Sequence, residues 1–139
     1  MSSRAIPAAG ETRPSIHLLA SESDLVADLA LMAEHRQPVV AAMLLGEIER
    51  AELHDDGDMP SGHVMLNSPV SFVDEKTGRA REARLVLPAD ANIAEGRISI
   101  LTPMGAALYG LAAGASIEWP DLDGHVRPIR ILRVDPPSP

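Results

Sequence analysis

The chain has 139 residues, 45% of them hydrophobic, with no cysteine, a formal net charge of −8 and a pI near 5.0. That length suits one domain, or one small domain with an appendage, and buries roughly two-thirds of its extended surface without staples. The absence of cysteine excludes disulfides, thiolate nucleophiles and cysteine–zinc sites, the acidic balance argues against a basic phosphate-tracking surface, and one Phe, one Trp and one Tyr leave almost nothing to stack on bases.

Residues 1–15, MSSRAIPAAGETRPS, are small and polar and lack the apolar stretch of a secretory signal, so they read as a disordered lead-in. No apolar run approaches the roughly 20 residues that span a bilayer, and a cytoplasmic location without membrane contact is expected. Ile16 to Leu19 is an edge strand or a segment leading into the helices. Ser21-Glu22-Ser23-Asp24 then resembles a capping box, with Ser21 as acceptor. Leu25, Leu29 and Met32 follow at helical spacing and predict the apolar face of a first helix. It stops near His35, because Gln37 precedes a proline and is pushed out of helical dihedrals.

Pro38 fits the first position of a second helix reaching about Leu53. Val40, Leu44, Ile48 and Ala51 form its apolar stripe; Glu47, Glu49, Arg50 and Glu52 form its wet side. The two make a hairpin with arms of about 18–22 Å at 1.5 Å per residue. Its tip offers Glu34, His35, Arg36 and Gln37.

HDDGDMPSG, from His54 to Gly62, is a polar breaker and the expected domain boundary. Beyond it the pattern turns to strands. Val64 to Leu66 is a short one, and Ser68–Asp74 and Arg81–Leu87 flank a hairpin turn with Gly78 near its tip. Ala89 to Gly96 is a loop with a single helical turn, and Arg97 to Leu101 is a strand. Ala115 to Trp119 and His125 to Val134 are strands joined by a turn that contains Asp123-Gly124. The domain plan is a lead-in at 1–15, a leading segment and short hairpin at 16–57, a strand-rich unit at 58–135 and a frayed tail at 136–139. The fold class is α+β: a short antiparallel helical hairpin, then an antiparallel sheet of about five strands with one short packed helix.

That helix lies in LTPMGAALYGLAAG, Leu101 to Gly114. Gly105 and Gly110 have the spacing of a phosphate loop, but Leu111 and Ala112 stand where the lysine and hydroxyl residue belong. Gly110 and Gly114 have the spacing of a membrane-helix contact without the apolar span around them. The physical reading is a capped helix: Thr102 as cap, Pro103 at its first position, Gly105-Ala106-Ala107 letting it lie close to the sheet, and Gly110 or Gly114 supplying the left-handed exit.

Other clusters allow chemistry with less pattern behind them. His54, Asp55, Asp56, Asp58 and His63 are metal-ligand types without helical or calcium-loop spacing, against the simpler reading of a solvated linker. Glu34 and His35 pose the same choice at the hairpin tip, between acid–base work and simple solvation. No G-x-S-x-G elbow anchors a hydrolase triad. Arg79, Arg81, Arg84, Arg127, Arg130 and Arg133 fall at strand spacing, as a positive stripe or as solvated partners of Asp74, Glu75 and Glu82.

Asn67-Ser68-Pro69-Val70, the run Arg97 to Leu111 and Gly114-x-Ser116-Ile117-x-Trp119 resemble the C-terminal domain of Gre-type transcription elongation factors. The closer likeness is to the Rnk family, the regulators of nucleoside diphosphate kinase, which share the glycine–alanine helix, the I-x-W strand and a turn like Asp58-Met59-Pro60. The second helix also looks like theirs, and the resemblance spans roughly residues 16–135.

The resemblance implies a short coiled coil followed by an FKBP-like domain that docks on bacterial RNA polymerase near its secondary channel. It places docking at Asp90, Thr102, Pro103, Met104, Gly105, Leu108 and Gly110. Gre factors hold a catalytic metal between two carboxylates at the tip of a longer coiled coil. This tip carries one carboxylate, Glu34, so cleavage is not carried over. The expectation is a non-catalytic regulator without cofactor or metal, monomeric, with no sequence-specific nucleic-acid binding, that competes with cleavage factors. The alternatives are a metal-assisted hydrolase or cleavage stimulator using His54, Asp56, Asp58 or Glu34, and a self-associating interaction module.

Overall fold

A computed structural model of the chain describes residues 15–120 and 126–137. The lead-in up to residue 14, the turn containing Asp123-Gly124, the expected strand start at His125 and the last two residues of the tail lie outside these.

Strand β1 (His17–Leu19) runs directly into helix α1 (Ala20–Met32), and residues 33–37 join it to helix α2 (Pro38–Arg50), which packs against it. Pro38 sits in the first turn of α2, where its missing N–H is no loss. The chain then extends into β2 (Glu52–His54), which pairs with β1 in parallel, His17 opposite Glu52. The second helix therefore ends at Arg50 rather than Leu53. The Glu52 N–H donates to the Ile16 carbonyl instead of continuing the helix.

Two details of α1 differ from expectation. It begins at Ala20 with no side-chain cap, and the Ser21 hydroxyl donates to Asp56 instead. Its buried face is Ser23, Val26 and Ala30, while Leu25 is exposed and Met32 is 78% exposed. Both sets have helical spacing, so periodicity alone could not choose between them. The choice is made by Glu22, which reaches across to the Leu66 N–H and the Tyr109 hydroxyl and fixes the rotation of the helix. On α2 the expected stripe holds in part: Val40 and Leu44 are buried with Ala41 beside them, Ile48 is half-buried, and Ala51 lies beyond the helix end. On its wet side Glu47 and Arg50 are half-buried and joined by two hydrogen bonds of 3.1 and 2.9 Å.

Beyond the linker, β3 (Pro69–Asp74), β4 (Ala80–Val86), β5 (Arg97–Ser99), β6 (Ser116–Pro120) and β7 (Val126–Val134) form a sheet in the order β5-β4-β3-β7-β6. The expectation of an antiparallel sheet needs correction, because β5 runs parallel to β4, with Arg84 opposite Arg97. The crossover passes through two short 3-10 turns, Pro88–Asp90 and Ile93–Glu95, rather than one. Val64 to Leu66 is not a strand. Its neighbour His63 makes an isolated bridge to Ala112, and Val64 and Leu66 point into the core. The β3–β7 register slips at Ser71/Phe72, a bulge with no local sequence signal.

One hydrophobic cluster runs through the whole fold, from Ile16, Leu18, Val26 and Leu44 to Leu85, Leu108, Tyr109 and Ile131. It is aliphatic apart from Phe72 and Tyr109. The core therefore crosses the polar stretch at 54–62. The three arginines of β7 pair with acids: Arg127 with Asp74 at 3.1 Å, Arg130 with Glu75 at 3.6 Å and Arg133 with Asp135 at 3.2 Å. Surface pairs of this kind contribute little to stability.

Candidate functional site

The short helix α3 (Pro103–Leu108) is built as its residues dictate. Thr102 is extended and its hydroxyl accepts the Gly105 N–H at 3.0 Å while donating to the Ser99 carbonyl at 2.7 Å. One side chain thus caps the helix and ties it to β5. Thr102→Ala should cost about 1 kcal/mol, read as a lowered midpoint in urea unfolding at unchanged slope.

Gly105 allows the close approach. A Cβ built there would lie 2.2 Å from the Ser99 carbonyl oxygen, so only glycine fits. Gly110, at φ 83°, ends the helix in the left-handed region, and its carbonyl accepts the His17 N–H at 3.1 Å. A Cβ there would meet Leu18 at 2.9 Å and Ile16 at 3.0 Å, so β1 lies directly on this glycine.

These contacts divide the residues that the resemblance singles out. Gly105, Leu108 and Gly110 are buried and hold the segment in place. Thr102, Pro103 and Met104 are half-buried at the start of α3, and Asp90 is exposed. The turn that carries Asp90 and helix α3 both pack against β5, the edge strand. Arg97 in β5 donates from Nε to the Asp90 carbonyl at 2.8 Å and pairs with Glu95. It is a positioning residue for the Asp90 turn, a role that its place at the start of the motif run does not reveal. The β3 side of the site is set by Asn67 in the left-handed region at φ 70° and by buried Ser68, whose hydroxyl accepts the Met65 N–H. This is the structural content of the Asn67-Ser68-Pro69 motif.

The tip residues Glu34, His35, Arg36 and Gln37 are all exposed. The 54–63 cluster does not assemble as the sequence arranges it. Asp56 turns to Ser21, and Asp58 closes a backbone turn on Asp55. His54 instead meets His17, with Nε2 and Nδ1 2.9 Å apart and the rings stacked at 5.1 Å between centroids. The His63 ring lies 4.5 Å from that of His17, and its Nδ1 donates to the Gly110 carbonyl at 3.4 Å. Burial lowers the His63 pKa below its ordinary value, outweighing the Gly110 carbonyl, and His17 and His54 add to the decrease. His17 carried no sequence signal, because its partner lies 37 positions away.

Among the described residues, no helix is long and apolar enough to cross a membrane. Residues 59–136 match the family model described as transcription elongation factor, GreA/GreB, C-terminal. The chain is 29% identical over 124 residues to the regulator of nucleoside diphosphate kinase of Escherichia coli K12, covering 89% of this chain and 91% of that one. It is 32% identical over 116 residues to the transcription elongation factor GreA of Beijerinckia indica, covering 78% and 74% respectively. Among solved structures, a prokaryotic transcription elongation factor GreA/GreB from Nitrosomonas europaea superposes with a TM-score of 0.71 at 34% identity, covering 89% of this chain and all of that one. With more than half of its length inside the family model and its fold shared with a solved relative, the chain belongs to the GreA/GreB C-terminal family of transcription elongation factors.

Proposed function

We propose that this protein is a non-catalytic regulator that binds bacterial RNA polymerase at the rim of the secondary channel and competes there with Gre-type cleavage factors. The observation that carries the reading is the edge built on β5, where the Asp90 turn and the Thr102-Pro103-Met104 helix start are both anchored to one strand. Buried Gly105, Leu108 and Gly110 make that edge rigid, and Asp90, Thr102, Pro103 and Met104 are the part a partner touches.

In this reading the 58–135 unit is the FKBP-like docking module and α1 with α2 forms a short hairpin. Each helix has 13 residues, about 20 Å in length. The tip brings one carboxylate, Glu34, which is too few to hold a metal between two acids. The hairpin therefore blocks the channel mouth without cleaving RNA. The metal-assisted reading of His54 with Asp56 and Asp58 loses its support, because neither acid joins His54 in a ligand group among the described residues. The protein acts as a cytoplasmic monomer.

Immobilised core polymerase is expected to retain the chain, and Pro103→Glu to lower the retained fraction at least tenfold while melting normally. Glutamate suits the first turn of a helix, so the variant isolates docking from folding. Equal retention of variant and parent would sink the assignment of this edge.

A further inference from the structure

We propose that His17, His54 and Glu52 form a binding site for a divalent late first-row transition cation, zinc above all, with the His63 ring packed beside His17. The site lies where the base of the helix pair meets the Gre-type unit. It is separate from the β5 edge and does not depend on the docking proposal.

The backbone places the donors. In the parallel β1–β2 pair His17 lies opposite Glu52, and His54 follows two residues later on the same face. Leu18 occupies the opposite face and is fully buried in the core. The Glu52 N–H bond to the Ile16 carbonyl joins the two strands, and the His17 N–H bond to the Gly110 carbonyl ties the ribbon to the end of α3. The ligand positions are thus set by paired strands rather than by a free loop.

The distances suit a metal. One ligand atom from each of His17, Glu52 and His54 lies within 4.8 Å of the other two. His17 Nδ1 to His54 Nε2 is 2.9 Å, and His54 Nε2 to Glu52 is 3.6 Å. Tetrahedral zinc with bonds of about 2.0–2.1 Å separates its ligand atoms by about 3.3–3.5 Å, between those two values. Small side-chain rotations reach it.

The donor chemistry selects the class. Two imidazoles and one carboxylate, with no thiolate, favour zinc and its neighbours over magnesium or calcium, which take oxygen. The His63 Nδ1–H donates to the Gly110 carbonyl, which holds that ring against His17. The His54 side chain is 15% exposed and that of Glu52 is 68% exposed, so the site is sheltered on one side and open on the other for a cation to enter. Packing alone gives no reason for three imidazoles to meet at one point on a junction.

Calorimetric titration of the untagged full chain with zinc chloride tests the proposal. It should show saturable uptake of one zinc per chain and a higher melting temperature. His17→Gln and His54→Gln should each weaken uptake about tenfold or more, Glu52→Gln less, and His35→Gln, at the exposed tip, not at all. Uptake that is not saturable, or that survives the combined His17→Gln and His54→Gln change, overturns the site. If a variant loses cooperative melting, cobalt binding to the unaltered chain decides. NMR line broadening centred on His17, His54 and His63 supports the site, and broadening centred elsewhere overturns it.

Discussion

Replacing Gly105 with alanine is expected to destabilise the protein by about 3 kcal/mol, the upper range for overpacking a close contact. In an exposed helix the same change stabilises by about 1 kcal/mol, because alanine is the better helix former. Here the sign reverses. The new Cβ would lie 2.2 Å from the Ser99 carbonyl oxygen and 3.1 Å from the Ile100 Cα, both backbone atoms that no rotamer can move. Helix α3 must lift away from β5, and the Thr102–Ser99 hydrogen bond that ties them goes with it. Chemical unfolding measures the effect as a drop in midpoint, and about 3 kcal/mol is a large part of the total stability of an ordinary domain. An alanine variant as stable as the parent would show that α3 does not sit on β5 as described.

The second large effect is expected at Tyr109, which is 0% exposed and whose hydroxyl donates to Glu22 at 3.2 Å. Removing that hydroxyl in Tyr109→Phe leaves a part-buried carboxylate short of a donor and should cost about 1.5–3 kcal/mol. The Leu66 N–H donates to the same carboxylate oxygen, so this one side chain ties α1 to both the segment before β3 and the end of α3. Burial raises the Glu22 pKa above its ordinary 4.5, and the two donors only partly oppose it. Burial and the Glu22 carboxylate also raise the Tyr109 pKa, so the phenol stays protonated and remains a donor.

The sign of the pH dependence follows. Between the ordinary value and the raised one, the folded chain holds a proton at Glu22 that the unfolded chain has released. Stability from this group is therefore greatest below 4.5, falls as pH rises through the raised pKa, and is level above it. Glu22→Gln keeps an acceptor oxygen and should flatten that fall. Tyr109→Phe removes a donor to the carboxylate and should steepen it. Unfolding midpoints across pH 4–8 for parent and both variants check the order.

What could be read from the sequence divides by range. Thr102 as cap, Pro103 and Pro38 at helix starts, and the β3–β4 turn are signals carried within a few residues, and each appears in the fold. The features that needed the structure join distant residues. Nothing local says that β5 runs parallel to β4, since that depends on how the Pro88–Glu95 crossover folds back. Nothing near Glu52 marks it as a strand partner of His17, and a helical pattern runs up to it. In α1 the large residues Leu25 and Met32 advertised the wrong face, because the buried side is made of Ser23, Val26 and Ala30. Small residues on that side carry little hydrophobic signal, yet they let neighbouring elements approach.

The same division holds at the candidate site. The motif residues around Pro103 are local and legible, as are Gly105 as the close-packing glycine and a glycine exit, but the separation of the docking residues into buried supports and an accessible edge was not. Leu108 looks like Met104 in the motif and differs in being buried. Arg97 opens the motif run, yet nothing local shows that it holds the Asp90 turn, and His17, which meets His54, carries no motif at all.

The central proposal is that the β5 edge docks on RNA polymerase in competition with Gre-type factors. The most direct measurement is retention of the chain on immobilised core polymerase with increasing GreA. The chain should be retained alone and displaced by GreA, while Pro103→Glu is barely retained at any concentration. A chain that core polymerase does not hold, or that stays bound under saturating GreA, would contradict it.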